Sequence, residues 1–201
     1  AVSKGEGNAY LYNKSEGLVK FNTPPEVGNT ISYFYEDKSG NFWLLNPQKE
    51  TLFRWNRMSG QNSIESFNKE TGLPVLGIRS MIEDDEGNIW MGTDGNGLFK
   101  YGGAKFVSFL SNLGLEEYFV WSIQQDSKGN YWFGTAVNGI IKYDGKELSG
   151  YQHLEKEVLG IVRVILDYQG KYLIGSQNGL WVFDEKSIKK ANTRFGLPER
   201  A

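Results

Sequence analysis

The sequence has no cysteine and a single histidine, His153. The first absence excludes disulfides, thiolate nucleophiles and cysteine-based metal clusters. The second excludes a histidine-rich metal site. His153 sits in "GYQHLEKE", a polar connection, and reads as a surface-loop residue with no partner at a telling spacing. Proline is sparse, with 5 in 201 residues, and no apolar run approaches the ~20 residues that a membrane-crossing helix needs. Neither sign of charge dominates: 22 Lys and Arg stand against 24 Asp and Glu, for a formal net of −2. That balance argues against nucleic-acid binding and against a basic helix lying on a membrane. The G-x-S-x-G serine motif is missing. "GNGLFKYGG" has glycines but follows a β pattern and opens no helix, so it is not read as a phosphate loop. Asp84 and Asp85, like Glu116 and Glu117, are adjacent, and neighbours on a strand point to opposite faces. No catalytic residue, cofactor or metal is therefore assigned.

What is plentiful is glycine, at 25, and aromatic residues, at 6 Trp, 11 Tyr and 12 Phe. Turn glycines with aromatics for pleated surfaces point to an all-β chain. These residues recur with a period. The turn glycines Gly7, Gly40, Gly87, Gly129 and Gly170 are spaced by 33, 47, 42 and 41 residues. Asp37, Asp84, Asp126 and Asp167 lie three residues before the last four, as the first position of a type I turn prefers. The carboxylate spacing of "DDEGN" does not suit a calcium loop. A strand with an aromatic at its second position follows: Tyr10, Trp43, Trp90 and Trp132, with Leu173 as the exception. Gly92-Thr93, Gly134-Thr135 and Gly175-Ser176 come next, then a short loop, then "GLVKF", "TLFRW", "GLFKY", "GIIKY" or "GLWVF". One apolar strand precedes each turn and a fourth, less regular one closes the unit.

Four short antiparallel strands in about 41 to 47 residues match a β-propeller blade. A sheet apolar on both faces cannot hide itself; stacking against a copy hides both. Tyr10, Trp43, Trp90 and Trp132 are accordingly expected in the core between sheets. In register, the repeats run approximately 1–33, 34–80, 81–122, 123–163 and 164–201, so that residues 1–201 form one propeller segment of about five units.

The phrase "G-N-x-W-x-G-T…G-L-x-x-Y", with "GLP" at Gly72-Leu73-Pro74 and Gly196-Leu197-Pro198, resembles the two-component regulator propeller repeat. The resemblance is strongest in the third and fourth copies. The second copy, "WLLNPQKETLFRW", has lost Gly-Thr and carries a longer loop. The WD40 pattern fits worse, since Gly-His and terminal Trp-Asp pairs are missing. The resemblance implies a larger propeller, often seven-bladed, of which this is part; closure with five blades is the competing arrangement. It also implies the extracytoplasmic sensor region of a bacterial hybrid histidine kinase, periplasmic or at the cell surface, that detects oligosaccharides or related small ligands. Any membrane attachment would come through flanking domains. A propeller serving a protein partner or a homodimer is the alternative, and a propeller lyase a further one.

In such blades the loop between strands two and three shares a face with the connection between blades. The candidate ligand contacts are therefore Asp94, Asn96, Asn138 and Asn178 in those loops, and Tyr118, Phe119 and Trp121 in "LGLEEYFVWS", whose rings could stack on sugars or pack between blades. Arg79 and Arg163 fall in innermost strands. Each either projects into the channel or caps a neighbouring blade through a salt bridge.

Overall fold

The computed structural model describes residues 9–13, 17–56, 63–73, 77–109, 119–151, 160–168 and 170–191, with side chains from residue 20 onward. Every regular element in them is a strand. They are β1 (Ala9–Asn13), β2 (Gly17–Phe21), β3 (Tyr33–Glu36), β4 (Asn41–Asn46), β5 (Thr51–Asn56), β6 (Ser63–Phe67), β7 (Ile78–Glu83), β8 (Ile89–Thr93), β9 (Leu98–Tyr101) and β10 (Phe106–Ser108). Then follow β11 (Val120–Gln125), β12 (Tyr131–Thr135), β13 (Ile140–Tyr143), β14 (Leu148–Gly150), β15 (Val162–Tyr168), β16 (Lys171–Ser176), β17 (Gly179–Phe183) and β18 (Ile188–Lys190). Four sheets have four strands each in sequence order, β3 to β6, β7 to β10, β11 to β14 and β15 to β18. Among the described residues of the first copy, β1 and β2 pair with each other. The sheets begin at residues 33, 78, 120 and 162, so the repeat starts at 34, 81, 123 and 164 fall inside each leading strand. Within the described residues this is the all-β architecture of propeller blades.

The chain divides into two compact units, residues 1–78 with 102–107, and residues 79–101 with 108–201. In the first unit, Phe21, Val27, Phe42, Leu44, Phe53 and Trp55 form one apolar cluster. Trp43 is fully buried, stacks on Phe67 and meets Phe106 edge-on.

In the second unit, strands β8 and β12 are buried along their whole length. Trp90 packs with Val120, Ile123, Tyr131 and Phe133 of the following sheet. Trp132 packs in the same way with Val162, Ile165, Tyr172, Ile174 and Phe183. The indoles of Trp43, Trp90 and Trp132 thus fill the core, as their recurrence in the sequence implies. Tyr10 lies on β1, but its side chain is outside the described residues.

The turn ahead of each tryptophan explains why these residue types recur together. Asp126 Oδ1 accepts the backbone N–H of Lys128 and Asn130, while Oδ2 accepts the Asn130 amide and the Trp132 indole N–H at 2.8 Å. Asp84 binds Glu86, Asn88 and Trp90 identically, and Asp37 holds Ser39, Asn41 and Trp43. Gly87 and Gly129 close these turns at φ +81° and +83°, a conformation only glycine adopts without strain. One Asp therefore shapes the hairpin and fixes the indole. The phenol of the next repeat adds a donor: Tyr131 reaches Asp84 and Tyr172 reaches Asp126, each at 2.8 Å. Asp167, whose repeat has Leu173 in the tryptophan position, instead accepts the backbone N–H and hydroxyl of Ser127.

Candidate functional site

In the second unit the loops between the second and third strands come together with the starts of the leading strands. Thr93 shapes the first loop: its Oγ1 donates to the Gly97 carbonyl and accepts the Asn96 N–H. Thr135 repeats this with Gly139 and Asn138, and Ser176 with Gly179 and Asn178. The loops are then tied to the neighbouring leading strand. The Ala136 N–H donates to the Phe119 carbonyl at 3.1 Å and the Gln177 N–H to the Ile161 carbonyl at 2.9 Å. Phe119 lays its ring 3.4 Å from the position a Cβ would take on Gly95, and it remains 43% exposed.

Beside Phe119 a ladder of side chains crosses three leading strands. The guanidinium of Arg79 on β7 lies 4.3 Å from the Trp121 ring on β11, and that of Arg163 on β15 lies 4.6 Å from the same ring. Both are within cation–π range. Arg79 also forms an ion pair with Asp94. Among the described residues no carboxylate pairs with Arg163, which is exposed. The Trp121 indole nitrogen is buried and has no acceptor among the described residues. Backbone irregularity creates this arrangement. The β11–β12 register slips between Val120 and Ser122, and β15–β16 slips between Val162 and Val164. Trp121 and Arg163 are the extra residues, and a bulge of this kind turns one side chain out of the alternation.

The structure thus gathers Asp94, Arg79, Trp121, Arg163 and Phe119, with Asn96 and Asn138 on the adjacent loops. Of the two placements expected for the arginines, Arg79 makes its ion pair inside its own sheet, with Asp94, and meets the next sheet through the Trp121 ring rather than through a salt bridge. Trp121 is not a bare platform for a sugar, because guanidiniums already lie over it. Asn178 is on the third loop, where Gly160 packs against Gln177 and Asn178. Tyr118 and His153 lie outside the described residues. The two bulges were not legible in the sequence, where "VWSI" from Val120 and "IVRVIL" from Ile161 both read as plain apolar strands. The pairing of tryptophan with a cation was legible only in hindsight. Trp43 faces Arg54, Trp90 faces Lys100 and Trp132 faces Lys142 across the sheet, with the cations 5.6, 4.9 and 5.1 Å from the rings.

The strongest titration effects belong to the structural turns. Burial by itself raises the Asp126 carboxyl, but donation from Trp132, Asn130 and Tyr172 outweighs it and brings the group down to about 2. Burial opposes and the Trp90, Asn88 and Tyr131 donors prevail at Asp84, which is also held below its ordinary value. Burial and then the hydrogen bond to the carboxylate push Tyr131 and Tyr172 well above the usual phenol range. In the first unit a separate open hollow of about 290 Å³ lies between Asn22–Glu26, Trp55 and Ile64. Among the described residues no three metal-ligating side chains converge, and no helix is long and apolar enough to cross a membrane.

Residues 72–95 and 114–136 match the family model described as "Two component regulator propeller". No curated protein matches the sequence significantly. Among solved structures, the chain is similar to PorZ, an essential bacterial surface component of the type-IX secretion system of Porphyromonas gingivalis: 19% identity, TM-score 0.65, covering 89% of this chain and 29% of that one. It is also similar to the extracellular domain assigned to a hybrid two component system of B. thetaiotaomicron, at 22% identity and TM-score 0.65, over 94% of this chain and 27% of that one. Virginiamycin B lyase from Staphylococcus aureus shares the fold at 14% identity and TM-score 0.62, over 90% of this chain and 64% of the lyase. The chain spans less than a third of the length of PorZ and of the two-component protein. Identities this low carry the propeller fold alone, but the matched segments coincide with the third repeat's turn and tryptophan strand and with those of the fourth, Asp84 to Trp90 and Asp126 to Trp132. Two segments of the chain, residues 72–95 and 114–136, thus carry the two-component regulator propeller repeat.

Proposed function

We propose that this chain is a ligand-binding, non-catalytic part of a β-propeller sensor on the extracytoplasmic side of a bacterial two-component regulator, and that its ligand is an oligosaccharide. The observation that carries the reading is the cluster on the loop side of the second unit, where Phe119 is exposed beside Asn96 and the Arg79–Trp121–Arg163 ladder. An exposed ring with amides and guanidiniums around it suits a ligand that is flat and apolar on one face and rich in hydroxyls at its edge. The side chains gathered there hold and orient; the one carboxylate among them, Asp94, is engaged by Arg79. The repeat family and the hybrid two-component neighbour support the sensor role. Glycan-array screening of the purified chain tests it: signal with defined saccharides that falls in Phe119→Ala is expected. A uniformly blank array would remove the saccharide reading.

A protein-binding surface is the second reading. It is favoured by Val164, Leu166 and Tyr168 on β15, which are 45–50% exposed on a sheet face, and by the likeness to a surface component of a secretion system. A stoichiometric complex with another surface protein, in a chain that ignores saccharides, would support it over the sensor.

A further inference from the structure

The guanidinium ladder narrows the ligand class, and this step rests on the proposed binding reading. Three facts bear on it. Trp121 and Arg163 each occupy a bulge, so two successive leading strands turn a side chain out toward the same ladder. Arg79 is neutralised by Asp94, whereas Arg163 has no ion-pair partner among the described residues. The contacts run without interruption from Phe119 over Gly95, next to Asp94, through Arg79 and Trp121 to Arg163. An exposed ring therefore stands at one end, and at the other a cation with no ion-pair partner among the described residues.

A guanidinium stacked on an indole keeps its in-plane N–H donors free while losing rotational freedom. It is thus held ready for a planar anion that accepts two parallel hydrogen bonds, which is the geometry of a carboxylate. Inside the molecule Asp94 already accepts one hydrogen bond from Arg79. We propose that Arg163 reads the carboxylate of an acidic oligosaccharide, a uronic-acid-containing chain, whose neighbouring ring packs on Phe119 and whose hydroxyls meet Asn96. An acidic peptide would use the guanidinium equally well, but the exposed Phe119 ring beside the Asn96 carboxamide favours a sugar.

Calorimetric titration with tri-galacturonic acid, its methyl ester, a neutral galactose trisaccharide and a short peptide with a free C-terminus tests this. The acid should bind, and its ester should bind about ten- to a hundred-fold more weakly, the range a charge-assisted hydrogen bond supplies. Arg163→Gln should reproduce that loss with an unchanged melting temperature, because the side chain is exposed. Asp94→Asn should have the opposite effect and tighten the acid by releasing Arg79, a sign that a merely structural role for these residues does not produce. Equal affinity for acid, ester and neutral sugar, or an Arg163→Gln variant that binds the acid normally, overturns the carboxylate assignment and leaves the saccharide reading standing. Binding of the peptide alone, or of none of the probes, overturns both.

Discussion

At the scale of the residue, one carboxylate per repeat does several jobs. Asp126 shapes its turn, orients the Trp132 indole and receives the Tyr172 phenol of the following sheet. Trp132 is in turn fully buried, with the Tyr172 ring 4.2 Å away and Lys142 above it. Trp132→Ala should cost about 3–5 kcal/mol in chemical denaturation, as removal of a large buried aromatic does. Trp132→Phe keeps the ring but leaves Asp126 short of a donor, and should cost about 1–3 kcal/mol. The carboxylate also makes stability depend on acid. Its folded value of about 2 lies below the 3.8 of an unperturbed Asp. The stabilisation is therefore complete above 3.8, falls as the pH drops toward 2, and amounts to about 2 kcal/mol at most. Asp126→Asn should flatten that part of the stability-against-pH curve while lowering the plateau at neutral pH. An unaltered acid transition in this variant would place the titration elsewhere. The sequence showed the Asp and Gly as turn residues and the tryptophan as core. It could not show that they are one hydrogen-bonded unit, because turn chemistry and strand burial are each sufficient reason for the residues at their positions.

At the scale of the element, glycine in the Gly-Thr pair marks where two sheets touch. A Cβ on Gly134 would lie 2.2 Å from Ser122 Oγ, 2.6 Å from Val162 Cγ1 and 2.8 Å from the Val162 carbonyl oxygen. On Gly92 it would lie 2.6 Å from Ser80 Oγ and 2.7 Å from the Val120 carbonyl oxygen. Both strands are extended there, so the requirement is space rather than an unusual backbone angle. Gly175 occupies the same place in the last sheet, yet its nearest neighbour would be Val164 Cβ at 3.4 Å, within its own sheet. The same substitution should therefore have different effects at equivalent positions. Gly134→Ala should cost about 1–3 kcal/mol or more through overpacking, whereas Gly175→Ala should change the midpoint of thermal unfolding little. Equal losses at the two sites would mean that sheet contact does not select the glycine. The repeat made these glycines easy to find in the sequence. Their reason was hidden, because the atom that crowds Gly134 most from the next sheet belongs to a residue 28 positions away, Val162. The bulges were hidden for a related cause: a one-residue slip at Trp121 leaves an apolar stretch that reads the same with or without it.

At the scale of the whole molecule, the repeat unit was legible because each sheet needs a neighbour, and that need recurs in the sequence at a fixed interval. Among the described residues the last sheet lacks that neighbour. Trp90 is covered by Tyr131 and Phe133, and Trp132 by Tyr172 and Phe183. On β15 to β18 the corresponding face carries Leu173 in the tryptophan position, paired with Leu166 on one side and Val182 on the other. Val164 and Leu166 on this face are 45% and 50% exposed. Apolar strands left open in this way attract other apolar surfaces. The 201-residue chain is therefore expected to associate with itself as its concentration rises, and sedimentation velocity should show the mass increasing. Leu166→Lys adds a charge to the centre of the face at a residue that is already half exposed. It should suppress the association while shifting folding stability by no more than about 0.5 kcal/mol, as surface substitutions do. The control is Lys189→Glu on the outermost strand of the same sheet, which should leave the association as it was. A chain that sediments as a monomer at every concentration, with Leu166→Lys and without it, would mean that residues beyond those described already cover the face.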